Sequence, residues 1–247
     1  MSRLLIIPAA GLGTRLGSPL PKLLVPVAGV TMLDRLLDLY ESVVDRVVLV
    51  VNPSAAPGVD QHLRSRTRRL PVECVQQTSP TGMLDAILLG VPAVAVYEPS
   101  SVWVTWCDQV AVHPKTIARL AERTSGASAA LVMPTVRCEH PYIHLERDGS
   151  NRIVRVRHRR EGDAMPDAGE SDMGLFAMSR VAYLEWLPKY LAEAEVGRQT
   201  GERNFLPFIV WVDRHAKVET FPCEDPMEAI GINTPDDLAR VERYLTR

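Results

Sequence analysis

Ile7-Pro8-Ala9-Ala10-Gly11-Leu12-Gly13-Thr14-Arg15-Leu16-Gly17, closely followed by Leu20-Pro21-Lys22, is the stretch that decides the fold. It leaves the end of an apolar run of strand length, Leu4-Leu5-Ile6-Ile7. Small residues and glycines after a strand let backbone N–H groups approach phosphate oxygens, and Arg15 and Lys22 add the cations those oxygens require. Lys22 follows Pro21 in otherwise apolar surroundings and needs an anionic partner. A dinucleotide fingerprint is excluded, because the third glycine falls at Gly17 and the second strand ends Val50-Val51-Asn52 without a carboxylate. A Walker A loop is excluded by the absence of Gly-Lys-Ser/Thr. The plain alternative is a tight strand-to-helix turn whose cations are merely solvated.

Outward from this loop, apolar runs at 4–7, 47–51, 72–75, 102–106 and 129–134 have strand length. Between them apolar residues recur at helical spacing: Met32, Leu33, Leu36, Leu37 and Tyr40, then Leu84, Ile87, Leu88 and Val91, then Ile117, Leu120 and Ala121. The alternation predicts an α/β fold with a mixed, mostly parallel central sheet and helices on both faces. After Pro141 the segments shorten. Residues 142–145 and 153–156, with Asp148-Gly149-Ser150-Asn151 between them, predict a β-hairpin. Residues 159–172, polar and rich in Gly, Asp and Glu, predict a mobile loop able to close over a ligand, ahead of a strand at 174–178. Helices are expected at 183–191 and 204–212, a strand at 218–221, and a terminal helix from Thr234-Pro235 to Tyr244-Leu245. Trp103 and Trp106, three apart on one strand, are expected to face opposite directions or to bury in the sheet.

The 247 residues are 46% hydrophobic, which suits one large domain with a sizeable core. With 28 Lys+Arg against 30 Asp+Glu the formal charge is -2, so no basic field argues for nucleic acid as a partner. The run at 4–7 is too short for a signal peptide or a membrane span, and nothing else approaches membrane length. Cys74, Cys107, Cys138 and Cys223 lie far apart, three of them in apolar runs, and read as reduced core thiols of a cytoplasmic protein. The 6 histidines form no H-x-x-x-H or Cys/His set of the kind zinc uses. No feature specifies an oligomeric state.

Asp108 ends the apolar run Val102-Trp103-Val104-Thr105-Trp106-Cys107-Asp108. Ligands of open parallel sheets bind beyond the carboxyl ends of strands, which places Asp108 on the same edge as the glycine-rich loop. Mg2+ takes one or two protein oxygens beside substrate phosphates, so one strand-end aspartate suffices as its anchor. The alternative for Asp108 is a cap on the turn toward the helix after His113-Pro114. In Gly231-Ile232-Asn233-Thr234-Pro235 either Asn233 or Thr234 caps the terminal helix. Val75-Gln76-Gln77-Thr78-Ser79-Pro80-Thr81-Gly82 leads from a strand into a helix. There Gln77 can both donate to and accept from the edge of a pyrimidine, and Gly82 allows backbone approach, unless both glutamines face solvent.

On these residues the chain resembles the sugar-1-phosphate nucleotidyltransferase superfamily, whose loop reads A-G-x-G-T-R followed by P-K. It is most similar to the uridylyltransferase domain of N-acetylglucosamine-1-phosphate uridylyltransferase, in the Arg15 to Lys22 spacing and the continuation Leu23-Leu24-Val25-Pro26-Val27-Ala28-Gly29. The resemblance covers nearly the whole chain and implies a Rossmann-like fold of the GT-A nucleotidyltransferase type with a β-hairpin acceptor-side lobe. It divides one domain, 1–247, into a nucleotide-binding half (1–136), an acceptor-side half (137–232) and the terminal helix (233–247). It implies Mg2+-dependent transfer of a nucleoside monophosphate, with UTP the favoured donor, to a sugar 1-phosphate and release of pyrophosphate. By that resemblance Ala10, Gly11, Gly13, Thr14, Gln77 and Gly82 bind the nucleotide, Arg15 and Lys22 are catalytic, and Asp108 and Asn233 ligate the metal. The acceptor positions are Tyr142, Glu170 and Asp172.

The acceptor side departs from the family pattern of a Tyr-Gly pair, a Glu on the next strand and an E-x-N-x-G segment. Ile143 follows Tyr142, the next strand is basic through Arg155, Arg157, Arg159 and Arg160, and the last segment reads Glu170-Ser171-Asp172-Met173-Gly174. Two other functions stay open. One is a cytidylyltransferase or guanylyltransferase with a non-sugar phosphorylated acceptor, and the other is a non-catalytic nucleotide-binding regulator.

Overall fold

Residues of the first strand alternate between two cores: Leu5 and Ile7 pack on one face of the sheet, Leu4 and Ile6 on the other. Val47, Leu49 and Val51 likewise face away from Val48 and Val50, and Trp103 faces away from Val102 and Val104. Strands buried on both faces read as continuous apolar runs, which is the character of these segments. The computed structural model describes residues 1–11, 13–126 and 128–247, so Leu12 of the glycine-rich loop lies outside the described residues.

Along the chain run β1 (Arg3–Ala9), β2 (Pro26–Val27), β3 (Val30–Thr31), α1 (Met32–Tyr40), β4 (Arg46–Val51), α2 (Ala56–Arg64) and β5 (Val72–Gln76). Then come α3 (Met83–Leu88), α4 (Val91–Tyr97), β6 (Ser101–Thr105), α5 (Pro114–Thr124), β7 (Leu131–Glu139), β8 (Ile143–Arg147) and β9 (Ile153–His158). The chain closes with β10 (Ala168–Asp172), β11 (Leu175–Ser179), α6 (Leu187–Glu193), α7 (Pro207–Asp213), β12 (Val218–Pro222) and α8 (Pro235–Leu245). In the main sheet β5, β4, β1 and β6 lie side by side and parallel. Beyond β6, β11 is antiparallel to both β6 and β7, while β7 also pairs with antiparallel β10 and parallel β12. One face is covered through Leu33, Leu37, Val59, Leu120 and Val241, the other through Ile87, Val94, Leu187 and Phe208. Strand order reverses across β1, with β4 on one side and β6 on the other, and this opens a crevice at the carboxyl edge between the loops after β1 and β6.

Several expectations are corrected. β7 runs past Pro134 to Glu139. Pro134 falls in the gap between β11, which pairs with Leu131 and Val132, and β10, which pairs with residues 135–139, while Phe221 of β12 stands opposite it in the parallel pairing. Residues 159–172 are not a loop throughout: a 3-10 turn at Arg159–Glu161 is followed by β10. The composition of β10 carries no strand preference, and the ladder with β7 supplies its hydrogen bonds. The helix expected from 204 starts at Pro207, since Asn204 Oδ1 accepts the Leu206 N–H at 3.0 Å and halts the chain there. The helix expected from 183 opens as a π-helical turn, Ala182–Trp186, that runs directly into α6, and Pro188, which has no N–H to give, follows that wide turn. The cysteines are unpaired but only partly buried, at the margins of the core rather than inside it.

The hairpin β8–β9 forms as the sequence suggested, with Asp148 Oδ1 accepting from the Ser150 and Arg152 N–H groups in its turn. Among the described residues no helix is long and apolar enough to cross a membrane. α1 is fastened to the segment after α2 by Asp34, which is 1% exposed. Its carboxylate accepts from Arg68 at 2.6 Å and Thr31 Oγ1 at 2.8 Å, and meets His62 Nε2 at 3.0 Å and Arg66 at 3.3 Å. Burial alone would raise the Asp34 carboxyl, but the hydrogen bonds from Arg68, Thr31 and His62 bring it below its ordinary value.

Candidate active site

β1 ends at Ala9, and the chain leaves through Ala10 and Gly11 toward a 3-10 turn at Thr14–Leu16. Asn52, just past β4, fixes that exit: its Nδ2 donates to Ala10 O at 3.1 Å while its Oδ1 accepts the Ala55 N–H at 2.9 Å. Gly13 has φ 63°, and a Cβ there would stand 3.1 Å from Lys22 Cβ, so glycine is what lets the loop lie along the lysine stem. Leu16 and Leu23 are buried and pin the two short turns, leaving Thr14 and Arg15 exposed at the crevice.

Arg15, Lys22, Asp108 and Asn233 come together in one hydrogen-bonded cluster. Lys22 Nζ donates to Asp108 Oδ2 at 2.6 Å and to Asn233 Oδ1 at 3.0 Å, and Arg15 Nη2 donates to the same Asn233 oxygen at 3.0 Å. The Lys22 and Asp108 side chains are 13% and 12% exposed. Burial alone would push the Lys22 ammonium down, yet Asp108 beside it carries it above the ordinary lysine value, so it is charged at neutral pH.

The Asn233 Nδ2 donates to Gly231 O at 3.3 Å, which turns its oxygen toward the cations. The segment carrying Asn233 docks on the Asp108 turn: Ile232 N–H donates to Asp108 O at 3.2 Å, and Gln109 Nε2 to Ala229 O at 3.4 Å. A Cβ on Gly231 would lie 3.2 Å from the Asp108 carboxyl, so the two chains meet without room for a side chain. Helix caps fall elsewhere. Thr234 caps α8 in a capping box with Asp237, and His113 caps α5.

Two hard oxygens, a carboxylate and an amide, thus converge on one cation position that the Lys22 ammonium fills. Among the described residues no three His, Cys, Asp or Glu side chains converge on a common point, so a metal would rest on these two oxygens. That donor set fits Mg2+, whose remaining ligands are waters and substrate phosphates.

Gln77 and Gly82 also meet, Gln77 Nε2 donating to Gly82 O at 3.1 Å, while Gln76 points into solvent. The three acceptor positions do not form one cluster. Tyr142 is 44% exposed and sits edge-on to His158, ring centroids 5.5 Å apart. Glu170 is gripped by Arg147 at 2.6 and 2.8 Å. Asp172 is buried, accepts the Gly174 N–H at 2.7 Å and has its carboxyl pushed up to about 6 by that burial. Ile143 is buried in the hairpin core. Of the hairpin arginines, Arg155 pairs with Asp163, Arg157 with Glu146, and Arg159 donates to the His140 and Pro141 carbonyls.

Sequence reasoning passed over Asn52, Gln109 and Glu228. Glu228 is buried and accepts from His113 N–H at 2.9 Å and Thr116 Oγ1 at 2.6 Å, tying the Asn233 segment to α5. Its signal was present, since Asp225-Pro226-Met227-Glu228 has the D-x-x-E form of a capping box and makes one.

A switch-point crevice with a glycine-rich loop on one wall and a strand-end carboxylate on the other defines a phosphate-handling α/β enzyme of the nucleotidyltransferase class. Residues 5–172 match the family described as MobA-like NTP transferase domain, and the chain belongs to that family. The bifunctional protein GlmU of Gloeobacter violaceus is 30% identical over 246 residues, covering 97% of this chain and 51% of that protein. The chain spans about half the length of the curated relatives it matches. HddC from Yersinia pseudotuberculosis has a similar solved structure, with TM-score 0.68, 19% identity, and coverage of 99% of this chain and 100% of that one. A 4-diphosphocytidyl-2C-methyl-D-erythritol synthase from Anaerococcus prevotii gives TM-score 0.69 at 18% identity over 100% of this chain and 99% of that one. These two likenesses show a shared fold.

Proposed function

We propose that this domain transfers a nucleoside monophosphate, UMP by preference, from its triphosphate to a sugar 1-phosphate, with Mg2+ held by Asp108 and Asn233. The observation that carries the proposal is the convergence of Arg15, Lys22, Asp108 and Asn233 at the carboxyl edge of the sheet. An oxygen of the acceptor phosphate attacks the α-phosphorus, the bond to the α–β bridging oxygen breaks, and pyrophosphate leaves with that electron pair. The acceptor phosphate has a second pKa of about 6 and is already ionised, so no protein base is required. Arg15 and Lys22 bind and orient the phosphates while their charge offsets that of the reacting oxygens. The metal, when bound, adds neutralising charge at the same oxygens.

In this reading Ala10, Gly11, Gly13 and Thr14 lie along the nucleotide, and the Gln77–Gly82 pair faces the base edge. Tyr142 meets the acceptor. Glu170 and Asp172, engaged by Arg147 and Gly174, shape the acceptor side through the strand they share. Similarity to GlmU supports UTP as the donor. The test is pyrophosphate release over a grid of four triphosphates and a panel of phosphorylated acceptors. The expected maximum is UTP with a hexose 1-phosphate, and a maximum elsewhere rejects that pairing.

A second reading, cytidylyl transfer to a non-sugar phosphorylated alcohol, is favoured by the acceptor side. Ile143 and Asp172 are both buried, which withdraws two positions an N-acetylhexosamine pocket would use. The solved structure from Anaerococcus prevotii is named for a diphosphocytidyl product, and the same grid separates the two readings.

A further inference from the structure

Two cations stand at the crevice beside one carboxylate: Asp108 accepts from Lys22, Arg15 reaches the neutral Asn233 oxygen, and that oxygen accepts from both. A desolvated cation without a counter-charge is costly. Here the excess is positive and lies at the mouth of the phosphate loop. The Lys22 ammonium also stands where the two candidate metal oxygens converge, at 2.6 and 3.0 Å, close to ordinary hydrogen-bond reach for each. Its stem lies along Gly13 from Cβ to Cδ, so a re-aimed ammonium turns about the outer end of the side chain.

We propose that Lys22 is the stand-in cation of the metal-free site: it occupies the divalent-cation position between Asp108 and Asn233, and moves onto the triphosphate when the metal enters. This rests on the metal-dependent transfer proposed above and adds an order to it. Metal alone must expel an ammonium and then sit beside it, two like charges in a partly buried crevice. Metal arriving with a triphosphate brings the anionic oxygens that receive the displaced ammonium. The site therefore takes the metal–nucleotide pair and resists the bare ion. Asn233 is the hinge of this exchange, since its oxygen serves the ammonium in one state and the metal in the other while Gly231 holds its amide in place.

The test reads metal binding rather than turnover. Binding of Mn2+ is measured by electron paramagnetic resonance, without nucleotide, for the wild type, Lys22→Met and the polar variant Lys22→Gln, with folding checked by circular dichroism. Removing the competing ammonium is expected to tighten Mn2+ binding by at least about tenfold in both variants, and Lys22→Met combined with Asp108→Asn is expected to abolish that gain. Folded variants that bind Mn2+ no more tightly than the wild type overturn the proposal.

A second measurement uses the unaltered protein, which has only the lysines Lys22, Lys115, Lys189 and Lys217, the last three exposed. Amine labelling followed by mass spectrometry is expected to modify Lys22 at least about tenfold more slowly than exposed Lys115 and Lys189 in the metal-free state, because its ammonium is both ion-paired and largely buried, whereas Lys217 pairs with Glu219 at the surface. Labelling at equal rates overturns the proposal. If wild-type protein with a triphosphate holds no more Mn2+ than the free triphosphate does, the metal reading fails and this inference with it. Tight Mn2+ binding by the wild type without nucleotide overturns this inference alone.

Discussion

Asp34 and Asp108 are both buried carboxylates set among cations, and their surroundings are opposite in balance. Around Asp34 the protein supplies every donor: two arginines, a histidine and the Thr31 hydroxyl, with Asp38 taking the other side of the Arg68 guanidinium. Around Asp108 one of the two cations has no carboxylate: Lys22 pairs with Asp108, while Arg15 reaches only the neutral Asn233 oxygen. The first arrangement closes on itself and fastens α1 to the chain after α2. The second leaves Arg15 exposed beside a neutral oxygen, which suits the binding role proposed for it.

The contrast can be broken at either end. Asp34→Ala leaves His62, Arg66 and the Thr31 hydroxyl without their acceptor and Arg68 with Asp38 alone, and is expected to cost about 3–5 kcal/mol in urea denaturation, with turnover of the folded fraction unchanged. The Asp34 carboxyl lies below its ordinary value of 3.8, so its contribution is complete above that pH and is lost as pH falls through the folded value. A wild type no less stable at pH 2.5 than at pH 5 would contradict this.

Lys22→Ala and Asp108→Asn are expected to do the reverse. Each lowers turnover of the folded protein on the order of 10²-fold, about 2.7 kcal/mol of barrier, a loss separate from any stability lost with the Lys22–Asp108 pair. Near-normal turnover in a folded Asp108→Asn protein would remove Asp108 from the metal site.

Asp172 sharpens the comparison because it is buried with no cation at all. Its carboxyl rises from 3.8 to about 6, so the folded state holds a proton that the unfolded chain has released. Stability is therefore expected to fall as pH rises from about 4 to about 6. Asp172→Asn should flatten that slope and be more stable at pH 7 by about 2–3 kcal/mol, the upper bound set by a shift of about two units. A destabilised Asn variant at pH 7 would mean that the ionised carboxylate has a partner. The smallest effect belongs to Gly231→Ala, whose methyl group would press on the Asp108 carboxyl. It is expected to lower turnover about tenfold, or about 1.4 kcal/mol, and unchanged kinetics would show that Asp108 yields freely.

Much of this was legible because strand ends in an open sheet carry their chemistry in local sequence. The glycine-rich loop, the aspartate after β6 and the asparagine before α8 each stand in a short recognisable context, and the fold has only to bring those contexts to one edge. β10 was not legible, as its Ala-Gly-Glu-Ser-Asp run becomes a strand only through its ladder with β7. For the same reason the partners of Glu170 and Asp172 could not be read, because a salt bridge to Arg147 and a contact with the Gly174 N–H follow from strand pairing. Glu228 could have been read from its capping-box spacing and was passed over because it bears no substrate chemistry of its own.

The hydrogen bonds from Arg15 and Lys22 to Asn233 span 218 and 211 residues of sequence. During synthesis the parallel strands β1, β4, β5 and β6 emerge first and can pair from neighbouring contacts, while the proposed site waits for Asn233, made long after them. A chain interrupted on the ribosome could own the sheet, the loop and the strand-end carboxylate and still be inert.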